Sequence, residues 1–364
     1  VVGVLRGDVG GFIAKLGEAK GAMADTSSGF MGLAGGAGIA AVAIGGALVA
    51  GLAVSVKMAG DFQTKLTGLV TGAGETAANI NLVSGGLLFM SSEVGVSASQ
   101  LADGMYTVES AGYHGAAGLA VMKVAAEGAK VGGADMTVVA NALTSALNAY
   151  HLPASSATEV TNTLIATVAA GKMHMEDLAG AMGTVLPEAA ALHISLADVT
   201  GAIATMTMQG TDAATASTGI RFLMSSLANE TPKGKKALEE FGMSAADIGK
   251  ELTTHGLQAT LATITEAVGK KFPEGSSQYI ASVAAIVGGT RGLNTTLELS
   301  GTNMQVWKDN IAGITSAVKT GGDSVKGWSE VQGDFNFKVD QTKAFLGSMA
   351  IALGQQLLPY ATQF

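Results

Sequence analysis

Gly36-Ala37-Gly38-Ile39-Ala40-Ala41 carries the letters of a loop that cradles a dinucleotide pyrophosphate. That chemistry needs a strand ahead of the glycines and an acidic residue about 20 positions on for the ribose. Here Gly-rich sequence precedes the run and apolar residues follow it, so it holds no cofactor site. The five histidines, 114, 151, 174, 193 and 255, are scattered, with no H-E-x-x-H and no i, i+4 pair for zinc. His174-Met175-Glu176-Asp177 is the one His–acid cluster, and it reads as a helix start whose acids face the N-terminal dipole. Neither a G-x-S-x-G elbow nor a G-x-x-x-x-G-K-[ST] phosphate loop occurs. Without cysteine the chain has no disulfide, thiolate metal site or Cys nucleophile. No catalytic, cofactor-binding or metal-ligating set emerges, and no enzyme is expected.

Two weaker features remain. Lys233, Lys235 and Lys236 near Arg221 form a basic cluster suited to an acidic partner surface, or simply to solvent. The sixteen methionines could line a binding groove, but Met206 and Met224 fall at core spacing. Net charge is −8, and residues 87–210 hold about ten acids against Lys123, Lys130 and Lys172. Binding along nucleic acid needs many Lys and Arg on phosphates, so none is expected, sequence-specific binding included.

The elements that would carry these residues read as helices. Ser97 with Gln100, Ser156 with Glu159, Ser195 with Asp198 and Ser244 with Asp247 have capping-box spacing. Thr231-Pro232 sets a cap before a proline at the first helical position. Gly132-Gly133, Gly171, Gly210 and Gly242 close apolar-periodic runs. Leu143, Leu147 and Tyr150 make one helical stripe; Val160, Leu164 and Val168 a second; Val199, Ile203 and Met206 a third; Ile220, Leu223 and Leu227 a fourth. No useful strand alternation appears. The fold expected is all-α: an N-terminal segment (1–29), an apolar helix (30–58), a connecting helix (59–86), a compact multi-helix domain (87–300) and extended C-terminal helices (301–364).

Phe30–Val56 is uncharged throughout its 27 residues. As a helix it would reach ~40 Å, enough to cross a bilayer core. Small residues recur along it: Gly32 and Gly36, Ala41 and Gly45, Gly46 and Ala50, and Gly51 after Ala47. Such faces let helix backbones approach closely, in membranes and in tight bundles alike. Its glycines weaken a lone helix in water, so a membrane or a self-packing partner is required on all sides. Both chain ends read as cuts from something longer.

From about 58 to 300 the sequence resembles phage tail tape measure proteins, also called phage minor tail proteins. The resemblance is carried by "MAGDFQTKLTGLVTGAGE", "SSEVGVSASQLADGMYTVESAGY", "AAEGAKVGGADMTVVANALTSALNAYHL", "LAGAMGTVLPEAAALHISLADVTGAIATMTMQGTDAATASTGIRFLMSSL" and "TPKGKKALEEFGMSAADI". Gly219-Ile220-Arg221 stands where the family often has small-Leu-Arg. The resemblance implies a helical structural protein of the virion, lying in the tail lumen in several copies, a trimer here. It implies a role in setting tail length, then release ahead of the DNA, with apolar segments entering the host membrane. The partners implied are copies of itself, tail tube and tail-tip proteins, and tail assembly chaperones. No muralytic signature is present. A membrane-active helical toxin is the rival reading, but its second apolar helix, "FLGSMAIALGQQLLP", is short and polar. A single-span receptor is a third, without the basic flank that would orient its span.

Overall fold

Several helix starts are fixed by a side chain that replaces hydrogen bonds the first turn lacks. Ser97 accepts the N–H of Gln100, Asp135 those of Thr137 and Val138, Asp212 that of Thr215, and Thr231 that of Gly234. Ser244 and Asp247 complete a reciprocal box. The computed structural model describes residues 40–361, with side chains over 51–359. Among these it has sixteen α-helices and no strand. In chain order they are α1 (Ala40–Gly72), α2 (Ile80–Val94), α3 (Ala98–Ser110), α4 (Gly115–Gly132), α5 (Met136–Ala149), α6 (Ala157–Ala170), α7 (Met175–Ala191) and α8 (Leu196–Met208). There follow α9 (Ala213–Ala228), α10 (Pro232–Glu239), α11 (Ala245–Lys271), α12 (Ser277–Ile286), α13 (Thr290–Leu299), α14 (Asn303–Gly321), α15 (Trp328–Gly333) and α16 (Phe335–Ala361).

One three-residue link recurs between helices. A residue with positive φ ends the first helix, the next residue follows, and the third caps the second helix. Gly95-Val96-Ser97, Gly133-Ala134-Asp135, His193-Ile194-Ser195, Gly210-Thr211-Asp212 and Gly242-Met243-Ser244 all follow it. In four of these links the second residue's N–H reaches back to a carbonyl of the preceding helix. Ala134 binds Ala129, Ile194 binds Ala189, Thr211 binds Met206 and Met243 binds Leu238. Glycine suits the positive-φ site because a Cβ there crowds the following carbonyl; His193 takes it at φ 57°.

The chain divides into two units. The first comprises residues up to Ala126 together with Ser329–Phe364, and the second Glu127–Trp328. In the first unit α1 and α16 run antiparallel in close contact. A Cβ at Gly354 would overlap the carbonyl of Ser55, and one at Gly347 would meet Met58 at 3.7 Å. Ala59, Phe62, Leu66 and Leu69 of α1 are buried, as are Phe337, Ala344 and Ile351 of α16.

The second unit is built round α8, which is buried from Asp198 to Thr207. Its helices pack at Gly-sized distances. A Cβ at Gly201 would press on Ile311 of α14, and one at Gly171 would lie 3.1 Å from Ala204 Cα. The hydroxyls of Thr205 and Thr207 are satisfied by backbone carbonyls of α8 itself. Asn162 of α6 is fully buried and clamps the segment after α14, donating to Ser324 O and accepting from Lys326 N. Trp307 of α14 is fully buried, its Nε1 donating to the Asp198 carbonyl at 3.1 Å.

Two expectations are revised. The apolar element does not close at 58: α1 continues to Gly72, past Lys57, Asp61 and Lys65. No helix breaker intervenes, and Lys57 and Asp61 pair across one turn at 2.6 Å. Among the described residues no single helix is long and apolar enough to cross a membrane. Positions 30–39, with Phe30, Gly32 and Gly36, lie outside the described residues. Ser156 caps nothing: it ends a 3-10 turn, Ala154–Ser156, set up by Pro153.

Candidate functional site

The residues that could do chemistry sit on separate elements. His114 lies in the connection before α4, His151 and His193 at the ends of α5 and α7, His174 at the start of α7. His255 pairs with Glu251 one turn away, at 3.0 Å. The His174–Asp177 cluster is a helix start, the Asp177 carboxylate accepting the His174 N–H at 3.0 Å, while Glu176 reaches the Asp135 N–H at 2.8 Å. No group of three or more His, Asp or Glu among the described residues could hold a metal ion. Met206 and Met224 are buried in the core of the second unit.

Of the small-residue positions, Ala41, Gly45, Gly46, Ala50, Gly51 and Val56 all fall in α1. Space around Gly51 is open, and Leu52 and Val54 beside it are exposed. Arg221 on α9 and Lys233, Lys235 and Lys236 on α10 are exposed. Arg291 also reaches α9: its guanidinium lies 4.9 Å from the ring centre of Phe222, next to Arg221 in sequence. The Lys235 charge acts on Glu230, a half-buried carboxyl that desolvation raises to about 7.

Two clefts open on the second unit. One, about 410 Å³, is lined by Thr215 and Thr218 of α9 and by Arg291, Asn294 and Glu298 of α13. The other, about 690 Å³, lies between the second half of α11 and residues 301–304, with Glu266, Lys270 and Glu274 on its rim. In both, cations and carboxylates stand on open walls. No nucleophile is set beside a base in either.

The least expected groups are buried acids. Asp198 is 6% exposed in the first turn of α8. Its sequence position implied the second half of a capping box with Ser195, and Ser195 Oγ does accept the Asp198 N–H at 3.1 Å. The carboxylate turns away, however, and accepts the Leu257 N–H at 2.7 Å. Burial raises Asp198 to about 6, against the lowering effect of the Leu257 and Gln258 N–H groups. In the first unit Glu109 is 1% exposed and raised to about 8 by desolvation and by the charge of Glu75. Only an acid at a buried helical position hinted at either in the sequence.

The arrangement is that of a scaffold: densely packed helices with polar groups turned to capping and clamping. Residues 84–288 match the model of a family described as phage-related minor tail protein. No curated protein and no solved structure matches the chain. The match takes in α3 to α12 whole and most of α2, more than half of the 364 residues, and the chain belongs to the phage-related minor tail protein family, structural proteins of the phage tail.

Proposed function

We propose that this tail protein is a tape measure, which sets tail length during assembly and is released to help the genome through the host envelope. The family match over residues 84–288 carries the reading. A helix rises about 1.5 Å per residue, so a chain kept extended converts residue count into distance. The helices described here return on themselves. Because α1 and α16 are antiparallel, the start of α1 and the end of α16 lie at the same end of the pair. The residues between them add little to the reach of the chain, which suits an anchor at one tail end, the tip, better than a ruler. Measurement would fall to sequence outside residues 40–361.

The uncharged start of α1 suits close packing against copies of itself, as a trimer, or exchange of those copies for lipid on ejection. Exposed Leu52 and Val54 support that part of the reading. Tail tube and tip proteins are its proposed neighbours in the virion, with tail assembly chaperones acting earlier. Electron microscopy of particles made without the gene tests the reading. Absent tails, or tails without a defined length, are expected. Tails of normal, uniform length would refute it.

A further inference from the structure

Where α1 runs into α2, two glutamates are buried together. Glu75 lies in the connection between these helices and Glu109 in the last turn of α3, at 3% and 1% exposure. Glu75 has its donors: Oε1 accepts from Thr76 N at 2.6 Å and Asn79 Nδ2 at 3.2 Å, and Oε2 from Gly115 N at 2.7 Å. The last is the first residue of α4, so the Glu75 carboxylate caps that helix. Burial alone would raise its pKa, but these N–H bonds bring it below the ordinary carboxylate value.

Glu109 has no such support. Neither of its oxygens meets a donor, and the side chain it faces is the Glu75 carboxylate. The lysines on the neighbouring helices are committed elsewhere. Lys65 of α1 is taken by Asp103 and the Ser99 carbonyl, and Lys123 of α4 pairs with Glu93 of α2 at 2.9 Å. Tyr113 and His114 lie in the α3–α4 connection, and neither bonds Glu109. A bare carboxylate in that position, beside a second one, carries a heavy desolvation cost. Protonation removes it.

We propose that Glu109 holds a proton and, with the Glu75 carboxylate beside it, forms a clasp that fastens the end of α1 to the α3–α4 corner and opens when the proton is lost to solvent. The corner has little slack elsewhere. Gly74 and Gly115 both have positive φ, and a Cβ on them would crowd His114 at 3.3 Å and Asn79 at 3.2 Å. Once Glu109 ionises, two buried negative charges face each other. Opening lets both reach water, so rising pH favours the open form. Nothing in this depends on the length-setting role proposed above.

The test is hydrogen exchange of the full chain between pH 7 and 9.5, read at the amides of residues 73–79 and 109–118 after correction for intrinsic rates. Above pH 8 the wild type is expected to lose protection by about tenfold per pH unit, the slope of one proton. Glu109→Gln, which mimics the protonated form, should hold its protection within about twofold over the same range. Equal responses in the two proteins would overturn the clasp. A carboxyl 13C titration of wild type provides a check free of mutation: a raised midpoint for Glu109 supports the clasp, and one in the ordinary glutamate range ends it.

Discussion

The carboxylate of Asp198 occupies the space that a side chain at Gly256 would need. Gly256 stands at φ 86°, ψ −179° and splits α11 into two half-helices. Asp198 Oδ2 lies where its Cβ would be and accepts the Leu257 N–H at the start of the second half. The cap comes from 59 residues away in sequence. Through its own carbonyl the same residue holds Trp307, so α8, α11 and α14 meet at one aspartate.

Gly256→Ala should therefore be severe. It strains a positive-φ site and expels a buried carboxylate from its donors, a loss of about 2–4 kcal/mol. Gly249→Ala, in open space on the same helix, should gain up to about 1 kcal/mol. Urea midpoints of the two variants check the contrast. Equal midpoints would remove the cap from the account.

His193 invites the opposite change. It holds at φ 57° a place that glycine fills in the other four links of its kind. His193→Gly should stabilise the protein by about 1 kcal/mol, since the left-handed penalty disappears. A thermal midpoint that stays put or falls would show that the imidazole is held by more than backbone position.

Gly354→Val should loosen the first unit alone. Its Cβ would overlap the Ser55 carbonyl, and overpacking of this kind costs about 1–3 kcal/mol or more. Limited proteolysis is the natural readout. Faster cleavage within α1 and α16, with Glu127–Trp328 still resistant, is expected; uniform resistance would contradict the close pairing.

Two buried acids and one half-buried acid set a pH dependence. Glu109 is raised to about 8, Glu230 to about 7 and Asp198 to about 6, from ordinary values of 4.5, 4.5 and 3.8. Across that window the folded chain binds more protons than the unfolded one, so stability falls as pH rises from about 4 to about 8. The thermal midpoint should be higher at pH 5 than at pH 8.5, and Glu109→Gln should flatten the upper part of the slope. A midpoint that climbs over this range would contradict the protonated forms.

How much of this was legible follows from how local each cause is. Ser97, Thr231 and Ser244 cap helices through neighbours three residues on, and the sequence displays them. Asp198 has the same spacing from Ser195, but the donor that wins its carboxylate belongs to another helix, which no local pattern reveals. Ser156 was misread because Pro153, just upstream, sets a 3-10 turn and moves the helix start. In α1 the change from apolar to mixed sequence at Lys57 looked like an end. A helix ends where its backbone is broken, and that happens only at Gly72–Gly74, with Gly74 at φ 85°. Glu109 carries no local mark of its role, since its surroundings are set by Glu75 and the α4 start.

The central claim is that residues 40–361 anchor the tail protein without measuring. Tail length by electron microscopy, in phage whose gene lacks codons 40–56, tests it most directly. These 17 residues, as helix, span ~25 Å. The account predicts tails of unchanged length whose DNA delivery fails. Tails shorter by that amount would put α1 along the tube as part of the ruler and contradict the anchor.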